Sequence, residues 1–337
     1  MAKRALISGY VGFSNFGDDL IFLILTRHLK ALGFDVSALS SNPALTQKAF
    51  KVNSYGYKNF LEVIKAIMAN DYLISGGGSL FQNATSNKSL LYYILIIFLA
   101  KFFGKKVLIF AHGIGPINGF FLQWLTKIAL KISDFVTVRD VYSYRLLSRW
   151  GIKSQCVNDP AWDIPIVAKE NPNCVGIQLR SYKKMHPIFL KQLAKYVGIY
   201  FSDKKIMIFP FQASCDVQIC REFERELKKE YPHIQCEIQT AGSTKLIIEN
   251  FAKLERLIAM RFHACLLGLK YKVNTMALSY DVKVENLAKE YNLVCIDTAQ
   301  KPDDYNDVFR RFMEQKVDTR AESPRFDWRM IDEFLLK

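Results

Sequence analysis

Two cationic side chains interrupt an apolar run in "LIAMRFHACLLG", residues 257–268. Residues 257–259 read as a short buried strand and 264–268 as the first turns of a helix, with Arg261 and His263 at the junction. An imidazole placed there titrates near neutral pH and can act as general acid or base, and a guanidinium fork can clamp a carboxylate or a phosphate. The same pair can equally be buried polar groups satisfied by neighbours, the commoner fate of a lone histidine in apolar sequence. Arg139 and Arg180 also follow apolar strands, and Lys283 follows another. Singly, each arginine is a surface residue or the partner of a buried carboxylate such as Asp140 or Asp159. Together with His263 and Lys283 they point to a ligand carrying two anionic groups.

The glycine clusters come next. "GYVGFSNFGDD" lacks the G-K-[ST] of a phosphate loop and is not G-x-G-x-x-G. It still suits a tight strand-to-helix turn that lets a ligand approach the backbone. "SGGGSLFQN" offers backbone N–H groups for a hydroxyl or anion. A tight connection explains either cluster equally well. His112 stands at a strand end, whereas His28, His186 and His233 read as helix or loop surface. No Ser-His-Asp order, G-x-S-x-G elbow, C-x-x-C or Cys/His cluster is present, so no metal is expected.

These residues need elements to position them, and the chain alternates strand and helix. "RALISGY", "DVSALS", "DYLISGGG", "KVLIFAHGIGP" and "DFVTVRD" read as strands in the first half, separated by helices, with "SQCVNDPA" closing it. After a seam at "WDIPIVAKENPNC" the alternation restarts with "CVGIQLR", "KIMIFPF", "IQCEIQT", "RLIAMR", "VNTMALS" and "VCIDTA". Short continuous apolar strands between helices indicate parallel sheets covered on both faces. The expected fold is therefore α/β, with two Rossmann-like doubly wound domains, 1–165 and 166–337, facing a cleft. The terminal "FDWRMIDEFLLK" reads as an amphipathic helix able to cross back to the first domain. In such sheets ligands bind at the carboxyl ends of the strands, where nearly every polar or glycine cluster of this chain falls.

Bulk properties narrow the partners. The chain has 337 residues, 50% hydrophobic and 23% charged, with a formal net charge of +14. Nucleic acid, an anionic membrane face or an anionic substrate would all suit that charge, but no nucleic-acid module is present and none is expected as partner. A generally basic surface is as good an account. The apolar run in "LLYYILIIFLAKFFGKK" ends at Lys101, short of the ~20 residues needed to cross a bilayer, and reads as a buried or interfacial helix. The seven scattered cysteines and the absence of a signal peptide suggest a reduced, cytoplasmic protein.

The motifs "GYVGFSNFGDD", "SGGGSLFQ", "GIGP", "VRD", "NDPA", "MRFHA" and "SYDVKV", in this order, resemble those of polysaccharide pyruvyl transferases, most of all the CsaB-like branch acting on cell-wall polysaccharides. The resemblance implies a GT-B type fold and transfer of pyruvate from phosphoenolpyruvate to two hydroxyls of one sugar as a ketal, with release of phosphate. It implies donor binding by Arg139, Arg261, His263 and Lys283, with His263 and Arg261 catalytic. Asn15, Gly17, Asp18, Gly77, Gly78 and Gln82 would line the acceptor side. No cofactor is implied beyond phosphoenolpyruvate as co-substrate. The acceptor would be a saccharide, lipid-linked or not, with peripheral contact at the inner membrane face as a further expectation. Ala259 stands where the family has glycine, and Ser79 where a bulky apolar residue is common. Two other readings share the scaffold: a GT-B glycosyltransferase using a nucleotide sugar, with Glu285 or Glu290 on the ribose, and a non-catalytic glycan- or membrane-binding protein.

Overall fold

A computed structural model describes residues 2–84, 86–167, 173–239, 244–301, 304–316 and 324–337. The chain forms two compact units, Met1–Ile164 with Pro324–Lys337, and Pro165–Ser323. Parts of two stretches named above, the end of "IQCEIQT" and the seam, lie outside the described residues.

The first unit strings together β1 (Arg4–Ser8), α1 (Phe16–Ala31), β2 (Asp35–Ser40), α2 (Pro43–Phe50), β3 (Asn53–Gly56), α3 (Phe60–Ala69) and β4 (Tyr72–Gly78). It continues through α4 (Asn87–Phe102), β5 (Lys106–His112), α5 (Phe120–Ile132), β6 (Phe135–Val138), α6 (Val141–Arg149) and β7 (Gln155–Cys156). The sheet is parallel in the order β3-β2-β1-β4-β5-β6-β7. Strands such as "VLIFA" in β5 are buried along their length, because helices cover both faces. One face packs under α3, α4, α5 and α6, and the other under α1. α2 and β3 do not stand out in the sequence, because "NSYG" has no apolar run and lies half-exposed at the sheet edge.

The second unit runs β8 (Cys174–Gln178), α7 (Phe189–Tyr200), β9 (Lys205–Ile208), α8 (Ala213–Glu230), β10 (Cys236–Ile238), α9 (Thr244–Phe251) and β11 (Leu254–Ala259). Then follow α10 (Phe262–Lys270), β12 (Asn274–Ser279), α11 (Val282–Glu290), β13 (Val294–Asp297) and α12 (Asn306–Glu314). Its parallel sheet has the order β10-β9-β8-β11-β12-β13. The last helix, α13 (Arg329–Leu336), belongs to the first unit, where Phe326, Ile331 and Leu335 are buried beside α1 residues. Tyr72 donates its hydroxyl to the Leu335 carbonyl at 3.1 Å, and His28 stacks on Trp328 and bonds Asp332 at 2.7 Å. His28 is therefore a structural contact, not simple helix surface.

Side-chain caps fix where several helices begin. Asn15, Asn42, Asn59, Ser86, Asp140 and Asp281 each accept a hydrogen bond from a backbone N–H in the first turn of the helix that follows. These caps set the points at which polar side chains leave the sheet edge. No described helix is long and apolar enough to cross a membrane.

Candidate active site

The strand order reverses between β1 and β4 in the first sheet and between β8 and β11 in the second. Such switch points open a crevice at the strands' carboxyl ends, where α/β sheets bind ligands. The motif residues after β1, β4 and β11 leave the sheets at these two places, and Arg139 and Lys283 leave the carboxyl ends of β6 and β12.

At the first switch point, Asn15 Oδ1 accepts from the Gly17 N–H at 3.3 Å, while its Nδ2 donates to Asp18 Oδ2 at 2.7 Å. Gly77 and Gly78 are buried at the end of β4 rather than displayed in a loop, with φ of +61° and +81°. A Cβ on Gly77 would sit 2.2 Å from Ile21 Cγ2, and one on Gly78 2.7 Å from Asp18 Oδ1. The glycines thus seat the first turn of α1 on the sheet. Gln82 lies half-buried just beyond. Tyr10 and Phe13 are half-exposed and stacked, ring centroids 4.0 Å apart, an aromatic face on which a sugar ring can lie.

Arg139 leaves β6 and is almost fully enclosed. Its Nη1 donates to Asp159 Oδ2 at 2.6 Å and its Nη2 to Ser79 Oγ at 3.1 Å. Of the two carboxylates open from the sequence, Asp159 is the partner that holds the guanidinium, and Ser79 ties the glycine segment to it. Asp159 Oδ1 also accepts from the Ala161 N–H at 2.9 Å. His112 is fully buried at the end of β5, its Nε2 3.1 Å from both the hydroxyl and the carbonyl of Ser75. Burial pushes its pKa down to about 3, so this imidazole is neutral and is no cationic donor ligand. Asp19, beside Asp18 in the first turn of α1, has its pKa pushed up to about 7 by burial and then by the neighbouring Asp18 charge. A carboxyl poised there can take or give a proton at physiological pH.

At the second switch point, Arg261 bridges several elements. Its Nε and Nη2 make a bidentate pair with Asp216 of α8 at 2.9 and 2.7 Å. Nη2 also reaches Gln212 Oε1 at 3.2 Å, and the Arg261 backbone N–H donates to Gln178 Oε1 at 2.7 Å. Asp216 is fully buried and Arg261 only 8% exposed. The pair occupies the Nε–Nη2 edge of the guanidinium and fixes its plane. His263 lies in the first turn of α10, half-buried, its ring edge-on to Phe262 at 5.4 Å.

Arg180, beyond β8, donates to the Tyr280 hydroxyl at 2.9 Å and lies over the Tyr280 ring. Lys283 is exposed in the first turn of α11, where Asp281 caps the helix by accepting from the Lys283 and Val284 N–H groups. Because β12 pairs with β11, α10 and α11 open side by side, placing His263 and Lys283 at the same sheet edge. Cations, a proton carrier and two helix N-termini at one edge can bind a small dianion and move a proton on it.

Sequence reasoning did not assign Tyr10, Phe13, Asp19, Gln178, Gln212 or Asp216 to the site. The acidic pair opening α1 was a visible signal for Asp19. Nothing in the spacing links Asp216 to Arg261, because the pairing depends on α8 and β11 meeting across the sheet. Among the described residues, no group of three or more His, Cys, Asp or Glu side chains could hold a metal ion. All seven cysteines are free thiols.

Comparison with known proteins bears on the fold and the family. Over 99% of its length the chain superposes on all of a UDP-GlcNAc 2-epimerase from Methanocaldococcus jannaschii, with a TM-score of 0.65 at 12% identity. S. aureus MnaA, solved with UDP, gives a TM-score of 0.62 at 10% identity, covering 100% of this chain and 97% of that one. HepE from Anabaena, solved with UDP and glucose, gives 0.62 at 10% identity, covering 99% and 98%. These likenesses establish the fold as the two-sheet α/β arrangement of GT-B type. No curated protein sequence matches the chain. The family model for polysaccharide pyruvyl transferase matches residues 15–282, from the Asn15 cap of α1 to the first turn of α11, and the chain belongs to that family.

Proposed function

We propose that the protein transfers the pyruvyl unit of phosphoenolpyruvate to two hydroxyls of one sugar in a cell-wall or exopolysaccharide precursor. One observation carries the reading: the M-R-F-H junction leaves β11 at the switch point of its sheet, with Arg261 held by Asp216 through Nε and Nη2 and His263 in the first turn of the helix that follows. Arg261, His263 and Lys283, together with Arg139, are the residues assigned to the donor's carboxylate and phosphate. Asn15, Gly17, Asp18 and Gln82, on the framework set by Gly77 and Gly78, are assigned to the acceptor, with Tyr10 and Phe13 under the sugar ring.

The chemistry balances without a cofactor. One sugar hydroxyl oxygen bonds to C2 of phosphoenolpyruvate, and a proton bonds to the methylene carbon, which becomes the methyl group. The second hydroxyl oxygen then bonds to C2 as the C2–O bond to phosphate breaks, and its proton leaves with the phosphate. His263 carries one of these protons, and Asp19 is the carboxyl suited to accept one from the acceptor hydroxyl. The acceptor is a saccharide precursor, free or lipid-linked, and a lipid-linked one is met at the cytoplasmic face of the membrane.

Incubation with phosphoenolpyruvate and candidate glycans, followed by mass spectrometry for the added pyruvyl group and by phosphate release, tests the proposal. His263→Ala should abolish both while the melting temperature holds; full activity in that variant rules the assignment out. Structural neighbours solved with UDP supply the rival reading, a nucleotide-sugar glycosyltransferase. Raised melting temperature with phosphoenolpyruvate and not with UDP-sugars separates the two.

A further inference from the structure

The outer surface of α3, α4 and α5 has a composition at odds with a helix layer facing water. These helices lie side by side on one face of the first sheet. α4 buries Leu90, Ile94 and Ile97 against the sheet, yet its opposite stripe is also apolar, with Leu91, Leu95 and Phe102 exposed. An ordinary surface helix carries polar residues on that stripe. α5 presents Phe120, Phe121 and Trp124, with Phe120 85% exposed, and α3 presents Leu61 and Met68, with Leu61 78% exposed.

The charge on this layer is predominantly positive. From residue 72 to residue 133 there is no aspartate or glutamate, whereas Lys88, Lys101, Lys105, Lys127 and Lys131 fall within that span; Lys106, also within it, lies over the Tyr72 ring on the other face of the sheet. The carboxylates that border it are already engaged. Glu62 accepts from the Gly56 N–H and from Asn59 Nδ2, Asp71 pairs with Arg4, and Asp134 pairs with Lys101 and accepts from the Val107 N–H. Lys105 bonds the Met68 carbonyl at 2.9 Å, which brings lysine to the end of α3.

From this juxtaposition of exposed aromatic and aliphatic side chains with lysines that outnumber the bordering carboxylates, we infer that the outer face of α3, α4 and α5 docks on an anionic phospholipid bilayer. Aromatic rings occupy the headgroup boundary, and lysine stems lie along apolar surface while their ammonium groups meet lipid phosphates. Self-association through the same face would set lysines against lysines, so charge complementarity favours lipid over a second copy. The face lies flat on the membrane and does not span it, since no described helix is long and apolar enough to cross. The inference rests on the proposed function only in that a lipid-linked acceptor gives a reason to be at the bilayer. The surface argument is independent of the reaction.

The test uses the full chain with sedimenting vesicles of phosphatidylglycerol and phosphatidylcholine, against vesicles of phosphatidylcholine alone. Retention on the anionic vesicles, lost as salt rises, is expected. Lys127→Glu with Lys131→Glu should weaken it by roughly tenfold or more. Phe121→Asp with Trp124→Asp should weaken it as well, while melting temperature and turnover of a soluble acceptor stay unchanged. Trp124 emission should shift to the blue on vesicle addition, a shift absent in Trp124→Phe. Equal binding to both vesicle types, no binding, or unaltered binding by both double variants overturns the inference. So does a dimer in sedimentation that Phe121→Asp with Trp124→Asp disperses. Loss of ketal formation with intact vesicle binding would count against the proposed function alone.

Discussion

Arg261 closes a buried ion pair and, in the proposed reaction, also meets the donor, so its substitution mixes folding with chemistry. Removing either member of a buried pair strands the other charge and costs about 3–5 kcal/mol. Asp216→Ala is therefore expected to destabilise the second unit by that amount in urea denaturation, although Asp216 itself touches no substrate in the proposed reaction. Arg261→Lys should keep most of the charge and lose the fork, lowering turnover more than stability; equal losses in both would show the arginine to be purely structural. Asp19 gives a different signature, through pH. Its folded pKa is raised from 3.8 to about 7, so the folded state holds the proton where the unfolded state has released it. The stabilisation from that proton is present at low pH and is lost as pH rises from about 4 to about 7. His112, lowered from 6.5 to about 3, acts with the opposite sign: its contribution is full above 6.5 and lost as pH falls toward 3. Asp19→Asn retains the histidine effect, so the difference between the two proteins isolates the aspartate. The variant is expected to gain stability relative to the parent between pH 4 and 7, by on the order of 1–3 kcal/mol, while kcat falls by ~10²-fold or more if Asp19 takes the hydroxyl proton. A flat stability difference across that range would refute the carboxyl's raised pKa.

At the scale of elements, the glycine segment after β4 shows how a ligand-loop signature can be a packing device. Gly77 combines a left-handed backbone with an approach that puts a Cβ inside the Ile21 side chain. Gly77→Ala should cost about 2–4 kcal/mol, the left-handed penalty for a residue with a Cβ plus overpacking of the α1–β4 contact. Adding Ile21→Ala relieves only the second part, so the double variant should recover relative to the sum of the single losses; simple additivity in thermal unfolding would contradict the contact. The sequence showed that glycine was required but not whether a ligand or a helix demanded it. Arg139 was similarly open between ligand clamp and structural partner, and its bonds to Asp159 and Ser79 show that much of its donor capacity is already used. Strands with continuous apolar runs, such as β5 and β11, were legible because two-sided burial leaves no other pattern. The edge strand β3 was not, because a half-exposed edge needs no apolar run.

On the scale of the whole chain, the strand–helix alternation identified two parallel sheets, and their switch points explain why so many motifs fall at strand ends. What the sequence could not yield was side-chain contact between residues far apart along the chain, such as Arg261 with Asp216; the last helix, read from the sequence as able to cross back, lies with the first unit. That return leaves the first unit assembled from two segments far apart in the sequence, so a core that starts at β1 is completed by α13. Leu335 is fully buried, and its carbonyl accepts from Lys3 Nζ at 2.7 Å as well as from the Tyr72 hydroxyl. Truncating it removes side-chain volume from a cluster that includes Ile7, Leu29 and Phe110. Leu335→Ala is thus expected to cost about 2–5 kcal/mol, and hydrogen exchange should locate the loss in the amides of β1, β4 and α1. Because the side chain belongs to the first unit's core, amides of β8 and β11 should keep their protection. Loss confined to those strands instead would mean that α13 does not hold the first unit together.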